Sequence, residues 1–141
     1  DPGEVAALSA VDTSVGVAAF ASWHEGHASA ASALARRPRL PVHVAVEAFS
    51  VLTRLPPPHR APADLVERFL KERFPDPLLA LPAEAHRALL GLAVRAGLAG
   101  GAIYDALVAA TAKRASASLL TRDRRAAPTY EVVGVRYELL P

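Results

Sequence analysis

The sequence predicts an α/β fold with a mostly parallel sheet. Short apolar segments that suit buried strands alternate with longer segments of helical periodicity, and proline, glycine and polar turns separate them. With 141 residues the chain can bury a sizeable core as one domain, and its 52% hydrophobic and 21% charged residues are typical of a folded protein. We expect one domain over residues 7–140 and a tail over residues 1–6. Because the chain has no methionine, we expect Asp1 not to be the native start.

The first half of the chain supplies one predicted strand and the first helices. Residues 7–11 form a short apolar run that ends at Asp12, which indicates a buried strand that leads into a loop or a helix. A capping-box pattern at residues 22–25 predicts a helix that ends at the next proline. The apolar segment 42–55 stops at three consecutive prolines, and residues 64–74 have one apolar helical face.

The second half repeats this alternation. A short strand is predicted at residues 78–81, and a proline followed by a glutamate predicts a helix that ends at about residue 96. Another helix is predicted over residues 102–112, which are apolar or small almost throughout. A strand at residues 117–121 and one or two strands within residues 132–140 complete the domain.

Composition excludes several classes of protein. There is no cysteine, so the chain has neither a disulfide framework nor a thiolate metal site, and a reducing cytoplasm is the default location. Residues 96–112 are interrupted by Asp105 and two glycines and are too few for a comfortable membrane span. Only Lys71 and Lys113 of the 16 basic residues are lysines. The many arginines permit an anionic partner, but such a composition is also typical of a GC-rich genome.

Four acidic residues lie in or against apolar segments, where an ionised carboxylate is costly without a partner. They are Asp12, Glu47, Asp105 and Asp123. Asp12 and Asp123 follow predicted strands, and sites in parallel sheets lie at the carboxyl ends of the strands. Each acid also has a local explanation. These are a helix cap for Asp12, a surface stripe for Glu47, the first turn of a helix for Asp105 and an ordinary turn for Asp123.

Together, the four acids favour a divalent cation. Two unit charges about 4 Å apart repel by about 4 kcal/mol at an effective dielectric of about 20, and a cation removes that cost. Carboxylate oxygens suit Mg²⁺ or Mn²⁺, which retain several waters and bridge to substrate phosphates. One or two such ions can activate a water that hydrolyses a phosphodiester without a covalent intermediate.

Four motifs carry a resemblance to a known family. They are a strand followed by Asp12-Thr13-Ser14, Glu47 in an apolar helix, GGAIYDALVA at residues 100–109 and LLTRD at residues 119–123. With the ending RDRRAAPTYEVVGVRYELL, the sequence resembles PIN-domain ribonucleases over nearly the whole chain, and among them the VapC-type toxins of bacterial toxin–antitoxin pairs. The resemblance implies a three-layer α/β/α sandwich around a mostly parallel five-stranded sheet.

The resemblance also implies roles for individual residues. Asp12 and Asp105 match direct ligands of Mg²⁺ or Mn²⁺, and Glu47 and Asp123 match acids that bind the metal or orient its waters. The supporting hydroxyl groups would be those of Thr13, Ser14 and Thr121. The arginines beside Asp123 suit either contacts with RNA phosphates or a solvated turn. They are Arg122, Arg124 and Arg125.

The function implied by the resemblance is that of the toxin in a type II toxin–antitoxin system. Such a toxin is a metal-dependent endoribonuclease that cuts structured RNA, such as transfer or ribosomal RNA, and inhibits translation. The implied partners are the RNA and a cognate antitoxin whose C-terminal segment covers the site. We also expect a homodimer located in the cytoplasm, with no membrane association.

Other interpretations of the same residues remain open. A non-catalytic module could use this fold to bind RNA or an antitoxin. An aspartyl-phosphate phosphatase is disfavoured, because such enzymes carry a second aspartate where this chain has Ser14. His24 and His27 are three residues apart without an evident third ligand, which disfavours a zinc site. Four aromatic side chains suit either base stacking or packing in a core or interface. They are Trp23, Tyr104, Tyr130 and Tyr137.

Overall fold

The computed structural model describes residues 8–141, so the tail predicted over residues 1–6 lies outside the described part of the chain. The strands are β1 (Ser9–Val11), β2 (Ser118–Thr121) and β3 (Tyr137–Leu139). The helices are α1 (Thr13–Phe20), α2 (His27–Ala33), α3 (Val42–Thr53), α4 (Ala63–Arg73), α5 (Ala85–Ala96), α6 (Ala102–Arg114) and α7 (Ala127–Val133). A 3₁₀ turn at Leu34–Arg36 follows α2. Within residues 8–141, no helix is both long and apolar enough to cross a membrane.

The sheet is parallel throughout, in the order β1, β2, β3, which confirms the predicted α/β class. Val11 pairs with Leu120, and Leu120 pairs with Glu138. The three strands therefore end at one common edge. Leu119 and Leu120 of the central strand are both buried. Because adjacent strand residues point to opposite faces, helices cover β2 on both sides.

The predicted count of five strands is wrong, since residues 8–141 form three regular strands. Two further segments extend the sheet beyond β1 through one parallel bridge each: the first joins Ala10 of β1 to Arg39, and the second joins Pro41 to Leu79. The strand predicted at residues 78–81 is one of these single bridges. Prolines lie within or beside both segments, and a proline cannot donate a hydrogen bond to a ladder. Five chain segments still lie side by side, but two are too short to be strands.

Two predicted element boundaries are also wrong. Residues 22–26 form a turn, because the apolar segment before them is itself the helix α1, and α2 begins only at His27. At the other end of the chain, Val132 belongs to α7 and not to a strand. Pro128 suits the first turn of α7, and Gly134, with φ of 86°, ends the helix in the left-handed conformation.

The helix α6 packs closely on the sheet. Ala106, Ala109 and Ala112 are fully buried and recur at helical spacing, so their small side chains let α6 approach β2. The short connection from α6 to β2 makes the helix run antiparallel to the strand. The first turn of α6 therefore lies at the carboxyl edge of the sheet, where β1 ends and α1 begins.

Candidate carboxylate active site

The four acids singled out in the sequence line one cleft at the carboxyl edge of the sheet. The cleft has a volume of about 670 Å³. Asp12 follows β1, Asp123 follows β2, Glu47 lies on α3, and Asp105 lies in the first turn of α6. The fold therefore gathers acidic side chains from four separate parts of the chain.

A larger groove of about 850 Å³ lies between α3 and α4. Most of its lining is apolar and includes Phe49, Leu70 and Phe74. Its acidic lining residues are Asp64, Glu67 and Asp76, and none of the four acids of the cleft contributes to it. The smaller cleft is therefore the candidate for chemistry.

Asp12 is a buried carboxylate with donors on both oxygens. Its Oδ1 accepts hydrogen bonds from the hydroxyl of Ser14 at 2.5 Å and from the backbone N–H of Val15 at 3.2 Å, so it also caps α1. Its Oδ2 accepts a hydrogen bond of 2.8 Å from the hydroxyl of Tyr130. Burial raises the pKa of Asp12, and these hydrogen bonds, with the hydroxyl of Thr121, oppose that rise.

Ser14 and Thr121 order the chain on either side of the cleft. Ser14 donates to Asp12 and accepts a hydrogen bond of 2.8 Å from the backbone N–H of Arg122, which ties the start of α1 to the loop after β2. The hydroxyl of Thr121 accepts a hydrogen bond of 3.0 Å from the backbone N–H of Asp123. The two hydroxyl groups thus fix the backbone that carries two of the acids.

Glu47 is held by neighbours on two elements. The hydroxyl of Thr13 at the start of α1 donates a hydrogen bond to its Oε1. One helical turn before it on α3, Nε2 of His43 lies 3.7 Å from its Oε2, and this nitrogen is buried without a hydrogen-bond partner among the described residues. The ring of His43 stacks on Tyr104, with centroids 5.2 Å apart and planes 3° apart. Glu47 is therefore positioned from both sides.

The pKa of Asp105 reflects the negative charge of the cleft. Its pKa is raised to about 6, first by partial burial and then by repulsion from Asp123, Glu47 and Asp12, while His43 opposes the rise. Asp123, Glu47 and Asp12 therefore all lie close enough to Asp105 to repel its charge. The favourable first turn of α6 cannot be the whole explanation for Asp105, because its neighbours penalise its charge.

The donor set of the cleft fits a hard divalent cation. Within residues 8–141, no three His, Asp or Glu side chains already form a group that could hold a metal ion. Mg²⁺ does not require such a group, since it keeps several waters and binds proteins through one or two carboxylates. A cation near Asp105 would relieve the repulsion that raises its pKa. The carboxylates and hydroxyls match this chemistry, and the structure has no thiolate site to compete with it.

The arginines after β2 take different positions. Arg122 and Arg125 line the cleft, whereas Arg124 is exposed and does not line it. The guanidinium of Arg122 lies directly over Gly26, where a Cβ atom would be 2.1 Å from its Cζ, and its Nε donates to the main-chain oxygen of Pro141. Arg122 is therefore fixed in the cleft wall, and a glycine at position 26 makes room for it.

Several residues of the cleft were not singled out as site residues from the sequence. Tyr130 was seen only as an aromatic side chain, and His24 and Arg54 also line the cleft. His43 could have been found, because it lies four residues before Glu47 on one helix face. The contact between Tyr130 and Asp12 has no local signal, because it joins opposite ends of the chain.

A parallel sheet with four carboxylates gathered beyond its strand ends defines a class of α/β domains whose acidic centre suits a divalent cation. Within that class, the family model of the PIN domain matches residues 10–132, and the chain belongs to this family.

Two curated ribonucleases are similar over most of this chain. Ribonuclease VapC40 of Mycobacterium tuberculosis, from strains CDC 1551 / Oshkosh and ATCC 25618 / H37Rv, is 52% identical over 131 residues, which cover 93% of this chain and 98% of the relative. Ribonuclease VapC27 of strain ATCC 25618 / H37Rv is 44% identical over 128 residues, which cover 89% and 92%. These similarities confirm the resemblance to VapC-type PIN-domain ribonucleases that the sequence predicts.

Proposed function

We propose that this protein is a metal-dependent endoribonuclease and the toxin of a type II toxin–antitoxin pair. The observation that carries the proposal is the gathering of Asp12, Glu47, Asp105 and Asp123 in one cleft, where the other three acids raise the pKa of Asp105. A cation that enters the cleft cancels this repulsion, so the cleft favours cation binding. The similarity to ribonucleases VapC40 and VapC27 supports RNA as the substrate.

The metal would be Mg²⁺ or Mn²⁺, held by Asp12 and Asp105, with Glu47 and Asp123 as further ligands or as acceptors for its waters. When bound, such an ion supplies an activated water and stabilises the charge that develops on a phosphodiester. Metal binding would lower the pKa of Asp105 from its value of about 6, because the cation would offset the repulsion from the other acids.

The protein's own contribution is to hold the acids in place. Asp12 is fixed by Ser14, Val15 and Tyr130, so little reorganisation remains when a ligand binds. Thr13 and His43 orient Glu47 from two helices, and Thr121 fixes the backbone at Asp123. These are positioning roles for side chains that need not touch the RNA.

The substrate would be a structured RNA, such as transfer or ribosomal RNA, whose cleavage inhibits translation. Arg122 and Arg125 in the cleft wall suit contacts with its phosphates, and the exposed Arg124 suits a contact further along the backbone. A planar guanidinium binds a phosphate with two parallel hydrogen bonds, which positions the chain without reading its sequence.

Two protein partners belong to this proposal. A cognate antitoxin would silence the enzyme by covering the acidic cleft with its C-terminal segment, in the cytoplasm where its RNA targets lie.

A homodimer is supported by α5, where Leu90 is 57% exposed and Val94 is 81% exposed on one helix face. Large apolar side chains so exposed are typical of a surface that is covered by a partner.

The test is RNA cleavage by the purified protein with Mg²⁺, with Mn²⁺ and with a chelator. We expect cleavage of transfer or ribosomal RNA in both metals and none in the chelator, and a loss of at least about 100-fold in Asp105→Asn. Asp64→Asn is a matched control, because Asp64 also lies in the first turn of its helix, α4, but outside the cleft.

The outcome also separates the proposal from its main alternative. Full cleavage by Asp105→Asn, or cleavage that persists in the chelator, would overturn the nuclease mechanism. RNA binding with no cleavage in any metal would instead favour a non-catalytic module.

A further inference from the structure

We propose that Trp23 is a stacking platform for an unpaired RNA base beside the acidic cleft. The inference deepens the proposed function and rests on it for the identity of the polymer. Three features carry it: the exposure of the indole ring, the hydrogen-bonded turn that holds it, and its contact with His24, which lines the cleft.

The indole of Trp23 is exposed on a fixed support. It lies in the turn between α1 and α2 and is 48% exposed, which is unusual for the largest apolar side chain. The ring stacks on His59, with centroids 4.0 Å apart and planes 29° apart, and it also contacts His24 at 5.8 Å between centroids. Two rings therefore hold the indole in one orientation while about half of its surface remains free.

The turn beneath Trp23 is itself well ordered. The backbone N–H of His24 donates to the oxygen of Ala21 at 3.0 Å, and the N–H of His27 donates to the oxygen of His24 at 3.0 Å. The N–H of Gly26 donates to Nδ1 of His24 at 2.9 Å, and Gly26 is buried beneath Arg122. A preordered aromatic ring binds a base with little loss of conformational entropy.

Trp23 contacts a residue that lines the acidic cleft. His24, which contacts Trp23, lines the acidic cleft, and so does Arg54 just after the end of α3. A base on Trp23 would therefore lie next to the cleft that would receive the cleaved phosphate.

Arginines accompany the residues that contact Trp23: Arg60 follows His59 in the chain, and Arg54 and Arg122 line the cleft together with His24, whereas Glu25 is the acidic residue of the turn itself. Arg54, Arg60 and Arg122 form no ion pair with an acidic side chain of residues 8–141. Their guanidinium groups instead donate to Ser50 Oγ and to main-chain oxygens, which leaves their charge available. An aromatic ring among cationic side chains is the combination that binds single-stranded nucleic acid.

The other three aromatic candidates from the sequence have different roles. Tyr130 is buried against Asp12, and the hydroxyl of Tyr137 donates to Glu131 at 2.9 Å. Tyr104 is 53% exposed, but its ring stacks on His43, which lies beside Glu47, so Tyr104 belongs to the groups that position an acid of the cleft. Trp23 is exposed and contacts none of the four acids.

The experiment uses the fluorescence of Trp23, which is the only tryptophan in the chain. The protein is titrated with a short oligoadenylate in a chelator, so that the RNA remains intact. Inorganic polyphosphate is the control ligand, because it offers phosphates without bases. We expect saturable quenching by oligoadenylate and none by polyphosphate, since only a base can stack on the indole.

Variants separate stacking from other losses of binding. Binding of labelled oligoadenylate should weaken about tenfold in Trp23→Ala, which matches the loss of one stacked base, and should largely recover in Trp23→Phe. Phe49→Ala is the matched control, because Phe49 is 40% exposed but faces the apolar groove between α3 and α4. It should bind oligoadenylate as the unaltered protein does.

Several outcomes would overturn the platform. These are no change in Trp23 fluorescence on titration with oligoadenylate, equal quenching by polyphosphate, or unchanged RNA affinity in Trp23→Ala. A variant that binds RNA normally but no longer binds the antitoxin would assign the surface to a protein partner. Cleavage is assayed separately: cleavage without quenching rejects only the platform, and quenching without cleavage rejects only the nuclease.

Discussion

The hydroxyl of Tyr130 donates a hydrogen bond of 2.8 Å to Oδ2 of Asp12, across 118 positions of the chain. Both side chains are buried. Burial and the nearby carboxylate raise the pKa of Tyr130 above its ordinary value, so the phenol remains a neutral donor. The bond joins α7 to the end of β1 and completes the donors around a carboxylate that has been removed from water.

Tyr130→Phe should lower the free energy of unfolding by about 1–3 kcal/mol, because it leaves one oxygen of a buried carboxylate without its donor. Urea unfolding followed by circular dichroism measures the change. Tyr137→Phe is the matched control, since it removes an exposed hydrogen bond to Glu131 and should change the stability much less. Equal losses in the two variants would mean that Asp12 does not depend on Tyr130.

Asp105 should make the stability of the metal-free protein depend on pH. Its pKa is raised to about 6 in the folded state, whereas an unfolded aspartate has a value of about 4. Between these values the folded state holds more protons than the unfolded state, so the free energy of unfolding falls as the pH rises. Because Asp105 is half-buried and solvent screens it, we expect a loss of about 1 kcal/mol. The raised pKa of Asp12 acts in the same direction.

Asp105→Asn tests this dependence, with urea unfolding in a chelator at about pH 4 and about pH 7 as the measurement. The variant should match the unaltered protein at the lower pH and exceed its stability at the higher pH, where the charge on Asp105 is repelled. Asp64→Asn should show the same change of stability with pH as the unaltered protein. An identical slope in all three proteins would contradict the electrostatic coupling of the four acids.

Mg²⁺ should stabilise the folded protein. A ligand that binds only the folded state at about 100 times its Kd adds about 2.7 kcal/mol to the free energy of unfolding. The Tm is measured in Mg²⁺ and in a chelator, with Na⁺ at the same ionic strength to account for screening. Asp105→Asn should lose most of the increase, and Asp64→Asn should keep it. An increase that survives in Asp105→Asn would place the cation elsewhere.

Gly26→Ala should displace the side chain of Arg122. The added Cβ would lie 2.1 Å from Cζ of that arginine, so the guanidinium must leave the cleft wall. We expect RNA affinity to fall about as far as in Arg122→Ala, with the fold retained, and no further loss when the two are combined. Gly101→Ala is the control, since nothing lies within 4 Å of its added Cβ. Additive losses in the double variant would show that Gly26 acts independently of Arg122.

Much of the fold was predictable because the local patterns agree with the final packing. The apolar segment of α6 is helical as predicted, and the short apolar run of β2 is a buried strand. The misassigned segment at Val132 has strand-forming residues, but Pro128 and Gly134 fit the two ends of a helix. Predictions failed where proline and glycine competed with an apolar pattern at Val132, and where prolines did so at Leu79.

The candidate site was predictable in part, for a similar reason. A carboxylate such as Asp105 is unusual among apolar sequence neighbours. It can therefore be identified as a candidate site residue without knowledge of the fold. His43 and Tyr130 differ, because a histidine or a tyrosine has many ordinary roles. Their contacts with Glu47 and Asp12 give them a place in the site.

The sequence by itself determined the α/β alternation, the four acids in apolar surroundings and the resemblance to PIN-domain ribonucleases of the VapC type. Only the tertiary structure decided the strand count, the pairing of Tyr130 with Asp12 and the exposure of Trp23 beside the cleft. The physical reason is the separation in sequence over which each kind of interaction acts. Periodicity and turn chemistry act over a few residues, whereas these features depend on strand order and helix packing between distant parts of the chain.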